Sequence, residues 1–205
     1  MTSISPPAVE SDLSERILES LSDCIARHGV TKTTLDDVAA EAGCSRATLY
    51  RYFPGKRTMV EALVQRRWAR LNADLATACR HSESLDDALV AILVHASRTL
   101  RADGALVRVL ELEPEMVLPY VAFDGADTTF AVVAESLVEP LERFTGAEGA
   151  RRTGEWAARL VLSYTLSYTA DSGGAEALAD PAFARTLVRD FVVPGCPRAG
   201  GGSRE

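Results

Sequence analysis

Between Ser45 and Lys56 the stretch SRATLYRYFPGK sets basic, hydroxyl and aromatic side chains at close spacing. Arginine carries a planar fork of donors that fits the O6 and N7 acceptors of guanine, whereas lysine is a point charge suited to phosphate. Leu49 and Phe53 form an i, i+4 apolar pair that must turn inward, which leaves Arg46, Ala47, Tyr50 and Arg51 on other faces of the same short helix, with Thr48 close by. That outward set suits a helix laid in a DNA major groove with its N-terminal residues at base edges, and Arg46 is the expected guanine reader. Groups suited to phosphate surround it. Thr33 and Thr34 stand at the start of the preceding helix, Ser45 opens the helix itself, Tyr52 follows Tyr50 by two, and Lys56 opens the next helix. Phosphate contacts would fix register while the few base contacts specify sequence.

The elements that must position these groups have clear start and stop signals. Leu13, Ile17, Leu21, Cys24 and Ile25 recur at three and four, one apolar stripe that predicts a first helix from about Ser11 or Asp12 to before Gly29. Thr34 with an acid at Asp37 is a capping box opening a short helix that Gly43 closes. A third short helix spans 45–53 and is stopped by Pro54-Gly55. Two short helices around a tight turn form a helix-turn-helix pattern, and small Ala39 lets them approach closely.

A longer helix is predicted over 56–80. Ser84 with Asp87 forms a second capping box leading an apolar helix through Leu100. Further helices are expected over 103–113, 128–144 and 148–170, with an irregular connection over 114–125, a break at Gly173-Gly174, and a last helix from Asp180-Pro181. No stretch alternates as a strand, so the expectation is an all-α fold of about nine helices. A disordered tail is expected over 1–10, a DNA-binding domain over 11–57, a helical body over 58–195 and a second tail over 196–205.

Charge supports this division without settling it. The whole chain carries −7, yet residues 44–70 hold seven Lys or Arg against the single acid Glu61, and residues 71–205 hold 12 basic against 20 acidic groups. A basic segment on an acidic body fits one face meeting a polyanion, although a solvated helix face remains equally open on charge alone. The 47% hydrophobic content is enough to build a core. No run nears the roughly 18 apolar residues a membrane span requires, and the first residues carry no basic or apolar leader, so a cytoplasmic protein without membrane contact is expected. Cys24, Cys44, Cys79 and Cys196 lie far apart without metal-ligand spacing. Neither a Gly-rich phosphate loop nor triad spacing is present, so no catalytic residue, cofactor or metal is assigned.

Taken together, TTLDDVAAEAGCSRATLYRYFPGKRTMVEALV resembles the tetracycline-repressor (TetR) family: a T-x-x-x-I/V-A opening, A-G-V-S at the turn, then T-L-Y-x-Y/H-F-x-x-K. The likeness covers about residues 12–70 and departs at Cys44, where the family usually has valine. It implies phosphate contacts by Thr34, Tyr50, Tyr52 and Lys56, and base-reading positions at Arg46, Ala47 and Arg51. It also implies a repressor, a near-palindromic operator of double-stranded DNA, a small-molecule effector, and a homodimer through helices near 148–170 and 180–193. The residues themselves permit the last point, since Trp156, Leu160, Tyr164 and Tyr168 recur every four beside Leu162 and Leu166 and need cover on more than one face. For a mostly apolar effector between the fifth and eighth helices, the candidate lining is His95, Arg98, Met116, Tyr120, Phe123, Trp156 and Tyr164. A helical enzyme, an interaction scaffold and an activator or nucleoid-type protein stay open as rival readings at this point.

Overall fold

The computed structural model describes residues 8–121, 124–166 and 174–195, and among these every regular element is helical. The chain divides into two compact units, Met1–Trp68 with Asp103–Pro114, and Ala69–Ala102 with Glu115–Glu205.

In the first unit, α1 (Ala8–His28) buries Ile17, Leu21, Cys24 and Ile25 of the stripe read from its spacing, with Leu18 beside them, while Leu13 is only half-buried. The helix starts at Ala8, so residues 8–10 of the expected tail are helical. Alanine, valine and glutamate there extend the first turn. Gly29 ends the helix in the left-handed region at φ 81°, where a side chain would be strained. Then come α2 (Leu35–Glu41), α3 (Arg46–Tyr52) and the start of α4 (Lys56–Cys79). The core joins the α1 stripe to Val38, Ala39, Leu49, Phe53, Met59 and Leu63. After α5 (Leu85–Ala102), which belongs to the second unit, the chain returns to the first as α6 (Gly104–Leu112) and packs against α1 through buried Ala105 and Val109. The first unit thus runs beyond residue 57 and recruits a segment remote in sequence.

In the second unit, α5 is capped as expected, Asp87 N donating to Ser84 Oγ at 3.1 Å. It buries Ala88, Leu89, Val90, Ile92, Leu93, Val94 and Ala96, so it is the central helix of this unit. A 3-10 turn (Pro114–Met116) leads to α7 (Leu118–Val121), α8 (Asp124–Ser136), α9 (Val138–Leu166), α10 (Gly174–Ala179) and α11 (Pro181–Leu187), after which residues 188–192 form a wider π turn. The expected helix over 128–144 is corrected: the chain breaks at buried Leu137 and restarts at Val138. Pro140 is the reason, because proline is tolerated only in a helix's first turn. A kink at Gly146, φ 71°, lies within α9. Gly154 lets α9 approach α8; a Cβ there would lie 3.1 Å from Leu137 Cβ and 3.2 Å from the Ala134 carbonyl. Gly174 opens a short helix where the sequence reads as a break, and the C-terminal tail predicted over 196–205 lies outside the described residues. None of the described helices is long and apolar enough to cross a membrane.

Candidate nucleic-acid interface

The candidate interface is built on two caps and a glycine turn. Thr34 caps α2 by accepting from Asp37 N at 3.2 Å, while its own N–H and hydroxyl donate to Asp37 Oδ2 at 3.0 and 2.6 Å. Those bonds from Thr34 hold the Asp37 carboxyl below its ordinary range. At the turn, Gly43 takes φ 62° and Cys44 N donates back to the Ala39 carbonyl at 3.0 Å. From α1, Arg16 Nη2 donates to the Ala42 carbonyl at 2.7 Å and steadies the same turn. Ser45 then caps α3, accepting from Thr48 N at 3.1 Å with the two hydroxyls 2.8 Å apart.

Buried Leu49 and Phe53 fix the rotation of α3. Ser45, Arg46, Ala47, Tyr50 and Arg51 are exposed, and Thr48 and Tyr52 are half-buried. The Arg46 guanidinium lies 5.6 Å from the Tyr50 ring centre, and its Nη1 donates to Asp36 Oδ2 at 3.2 Å. A hydrogen bond with Tyr50 and the Asp36 charge both favour its protonated form. Arg51 lies over Tyr52 at 5.4 Å. Lys56 Nζ donates to the Thr31 carbonyl at 3.0 Å. Thr33 is placed differently from the others. It is 1% exposed and its hydroxyl donates to the Gly29 carbonyl at 2.7 Å, so it braces the loop from inside.

Much of the basic run is answered within the first unit. Arg66 pairs with Glu15 and, at 3.0 Å, with Glu19; Arg67 pairs with Asp103; Arg57 reaches Glu61 at 3.5 Å. Glu113 escaped sequence reading altogether. It is buried, and its carboxylate accepts from Val30 N at 2.6 Å and Thr31 N at 2.8 Å. Burial works against its ionisation, but the bonds from Thr31 and Val30 and the Lys56 charge outweigh this and hold its carboxyl below the ordinary value. No local signal marks it, since its partners lie over eighty residues upstream.

The proposed effector residues keep separate company. Half-exposed His95 has Nε2 buried without a hydrogen bond, 3.9 Å from Asp74 Oδ2. Arg98 Nε donates to the Ala179 carbonyl at 3.0 Å, closing the end of α10. Met116 and Trp156 are exposed, and Tyr164 meets Phe183 edge to face at 6.0 Å. The Tyr120 side chain and Phe123 lie outside the described residues, as does Tyr168.

Comparison with known proteins extends these observations. The pattern of the family described as bacterial regulatory proteins, tetR family, matches residues 17–63, which contain α2 and α3. An uncharacterized HTH-type transcriptional regulator of Mycobacterium bovis is 30% identical over 103 residues, a match spanning 50% of this chain and 52% of the relative, so about half its length is covered. Another, from Mycobacterium tuberculosis, is 24% identical over 180 residues, 88% of this chain and 83% of the relative. The crystal structure of the TetR family repressor AlkX from Dietzia has a TM-score of 0.61 at 20% identity, covering 86% of this chain and 94% of that one, which extends the shared fold beyond the matched module.

Proposed function

We propose that the chain is a regulatory protein of the tetR family that represses transcription from a near-palindromic operator, leaving it when a small, mostly apolar effector binds the second unit. One observation carries the reading: buried Leu49 and Phe53 turn Arg46, Ala47, Tyr50 and Arg51 outward together on one face of α3. In the proposed complex Arg46 reads guanine, while Tyr50, Tyr52 and Lys56 meet phosphates. The homodimer would form through α9 and the segment near 180–193. Exposed Trp156 (60%), Phe191 (77%) and Phe183 support this, being large apolar groups that a second copy would cover. A two-fold dimer sets its reading helices about 34 Å apart, one turn of DNA.

An effector site in the second unit is supported by Ser97, 2% exposed, whose hydroxyl has no hydrogen-bond partner among the described residues, and by the buried Nε2 of half-exposed His95, which makes no hydrogen bond and lies 3.9 Å from Asp74 Oδ2. Buried polar atoms of that kind suit the few anchors of a mainly apolar site. The effector need favour the DNA-free form by only a few kcal/mol, since each ~1.4 kcal/mol is tenfold. A selection of genomic fragments with purified protein, followed by binding across a salt series, tests the reading. One palindromic site bound by a dimer with a steep salt slope is expected. No enrichment from a dimeric, effector-free protein would overturn it.

A further inference from the structure

Residues Asp103–Pro114 follow thirty-four residues of the second unit, yet they pack as part of the DNA-reading unit. Asp103 caps α6, accepting from Leu106 N at 3.0 Å, and the same carboxylate pairs with Arg67. Arg108 Nε donates to the Ala26 carbonyl at 3.1 Å, one of the end carbonyls of α1. Past the helix, Glu113 takes both amides of the loop that follows α1, Val30 N and Thr31 N. Gly29 leaves room for this grip, as a Cβ there would lie 3.1 Å from Glu113 Oε2. From the other side, Lys56 Nζ reaches the Thr31 carbonyl. Thr31 is therefore held at its N–H by Glu113 and at its carbonyl by Lys56. The loop ends at the Thr34 cap of α2, and Lys56 opens α4, so the two ends of the grip bracket the reading helix.

From this juxtaposition we infer that Glu113 is a positioning residue for DNA binding, fixing the Val30–Thr31 loop that sets the start of α2 and holding the Lys56 ammonium where it meets phosphate. The role presupposes the DNA binding proposed above and adds to it a residue well outside the matched module. The bonds are charge-assisted, shorter and stronger than neutral ones. Replacing the carboxylate by alanine leaves two loop amides without their acceptor, whereas glutamine keeps one acceptor and loses the charge. A brace serving only the end of α6 would leave DNA affinity untouched in any variant that folds.

Full-length Glu113→Ala and Glu113→Gln are compared with wild type on the enriched fragment and on a scrambled duplex, across salt, by fluorescence anisotropy. The alanine variant should bind the enriched site at least tenfold more weakly and glutamine should fall between. The log–log salt slope should drop by roughly 0.9 as one phosphate contact is lost. Hydrogen exchange at Val30 and Thr31 should accelerate while α5 amides stay protected. Wild-type affinity and slope in Glu113→Ala would overturn the role. Should that variant fail to fold, the glutamine variant decides: unchanged exchange at Val30 and Thr31 with unchanged affinity overturns it equally. Wild type that enriches no DNA defeats the parent reading and this one with it, whereas wild type and variant binding equally well defeat the role of Glu113 alone.

Discussion

Asp36→Asn should strengthen sequence-independent DNA binding and make the protein a poorer discriminator. Asp36 sits in the first turn of α2 with its carboxylate 3.2 Å from Arg46, and both side chains are more than 60% exposed. At that exposure the ion pair contributes about 0–1 kcal/mol. The helix-start position of the aspartate adds about 0.3–1 kcal/mol. Stability therefore falls by at most ~2 kcal/mol, a Tm change of less than about 8 °C for a chain of this size. On DNA the balance reverses. A carboxylate beside the reading helix repels phosphates, and at ~8–10 Å in water each such charge pair is worth roughly 0.4–0.5 kcal/mol, so removing it should raise affinity for a scrambled duplex about twofold. The same carboxylate holds the Arg46 fork on one side while Tyr50 lies beneath it. A bidentate arginine gives about 1–3 kcal/mol of base discrimination, and freeing a long side chain costs ~0.5–1.5 kcal/mol when it must be ordered again. The ratio of operator to scrambled affinity should thus fall about three- to tenfold. Anisotropy titrations with both duplexes at one salt concentration read the two numbers separately. An unchanged or higher ratio would refute the reasoning, because Asp36 would then not be orienting Arg46.

Three other outcomes are expected. Gly154→Ala drives a Cβ toward Leu137 and the Ala134 carbonyl, overpacking the α8–α9 contact by about 1–3 kcal/mol and lowering Tm by roughly 2–10 °C in a thermal melt. Trp156→Asp combined with Phe191→Asp should convert a dimer to a folded monomer in light scattering, while Val64→Asp, equally exposed but in the first unit, should not. For pH, the folded-state pKa of Glu113 is depressed, so its stabilisation is complete above the ordinary carboxylate range and is lost as pH falls through the folded value. The difference in urea-unfolding stability between wild type and Glu113→Gln should therefore be constant near neutrality and close under acid; a gap that widens with acid would reverse the assigned sign.

What could be read from the sequence divides by the range of the interaction. Thr34 with Asp37, Ser45 with Thr48 and the turn at Gly43 each close within three to five residues, so the caps, the turn and the outward face of α3 were all visible as local chemistry. Pro140 was visible too, but the apolar period ran past it and masked the break at Leu137. Counting charge along residues 44–70 missed that Arg66 and Arg67 are answered by Glu15, Glu19 and Asp103, none of them within that stretch. Glu113 is the furthest case, because a glutamate after a short helix looks like any solvated acid until a loop eighty-three residues earlier supplies its donors. In the proposed DNA reader the contacts act at two ranges. Short-range caps decide which side chains turn outward, and long-range polar contacts decide how firmly that face is held, so Asp36→Asn should move sequence-independent affinity and discrimination in opposite directions, whereas Glu113→Ala should weaken binding and lower the salt slope.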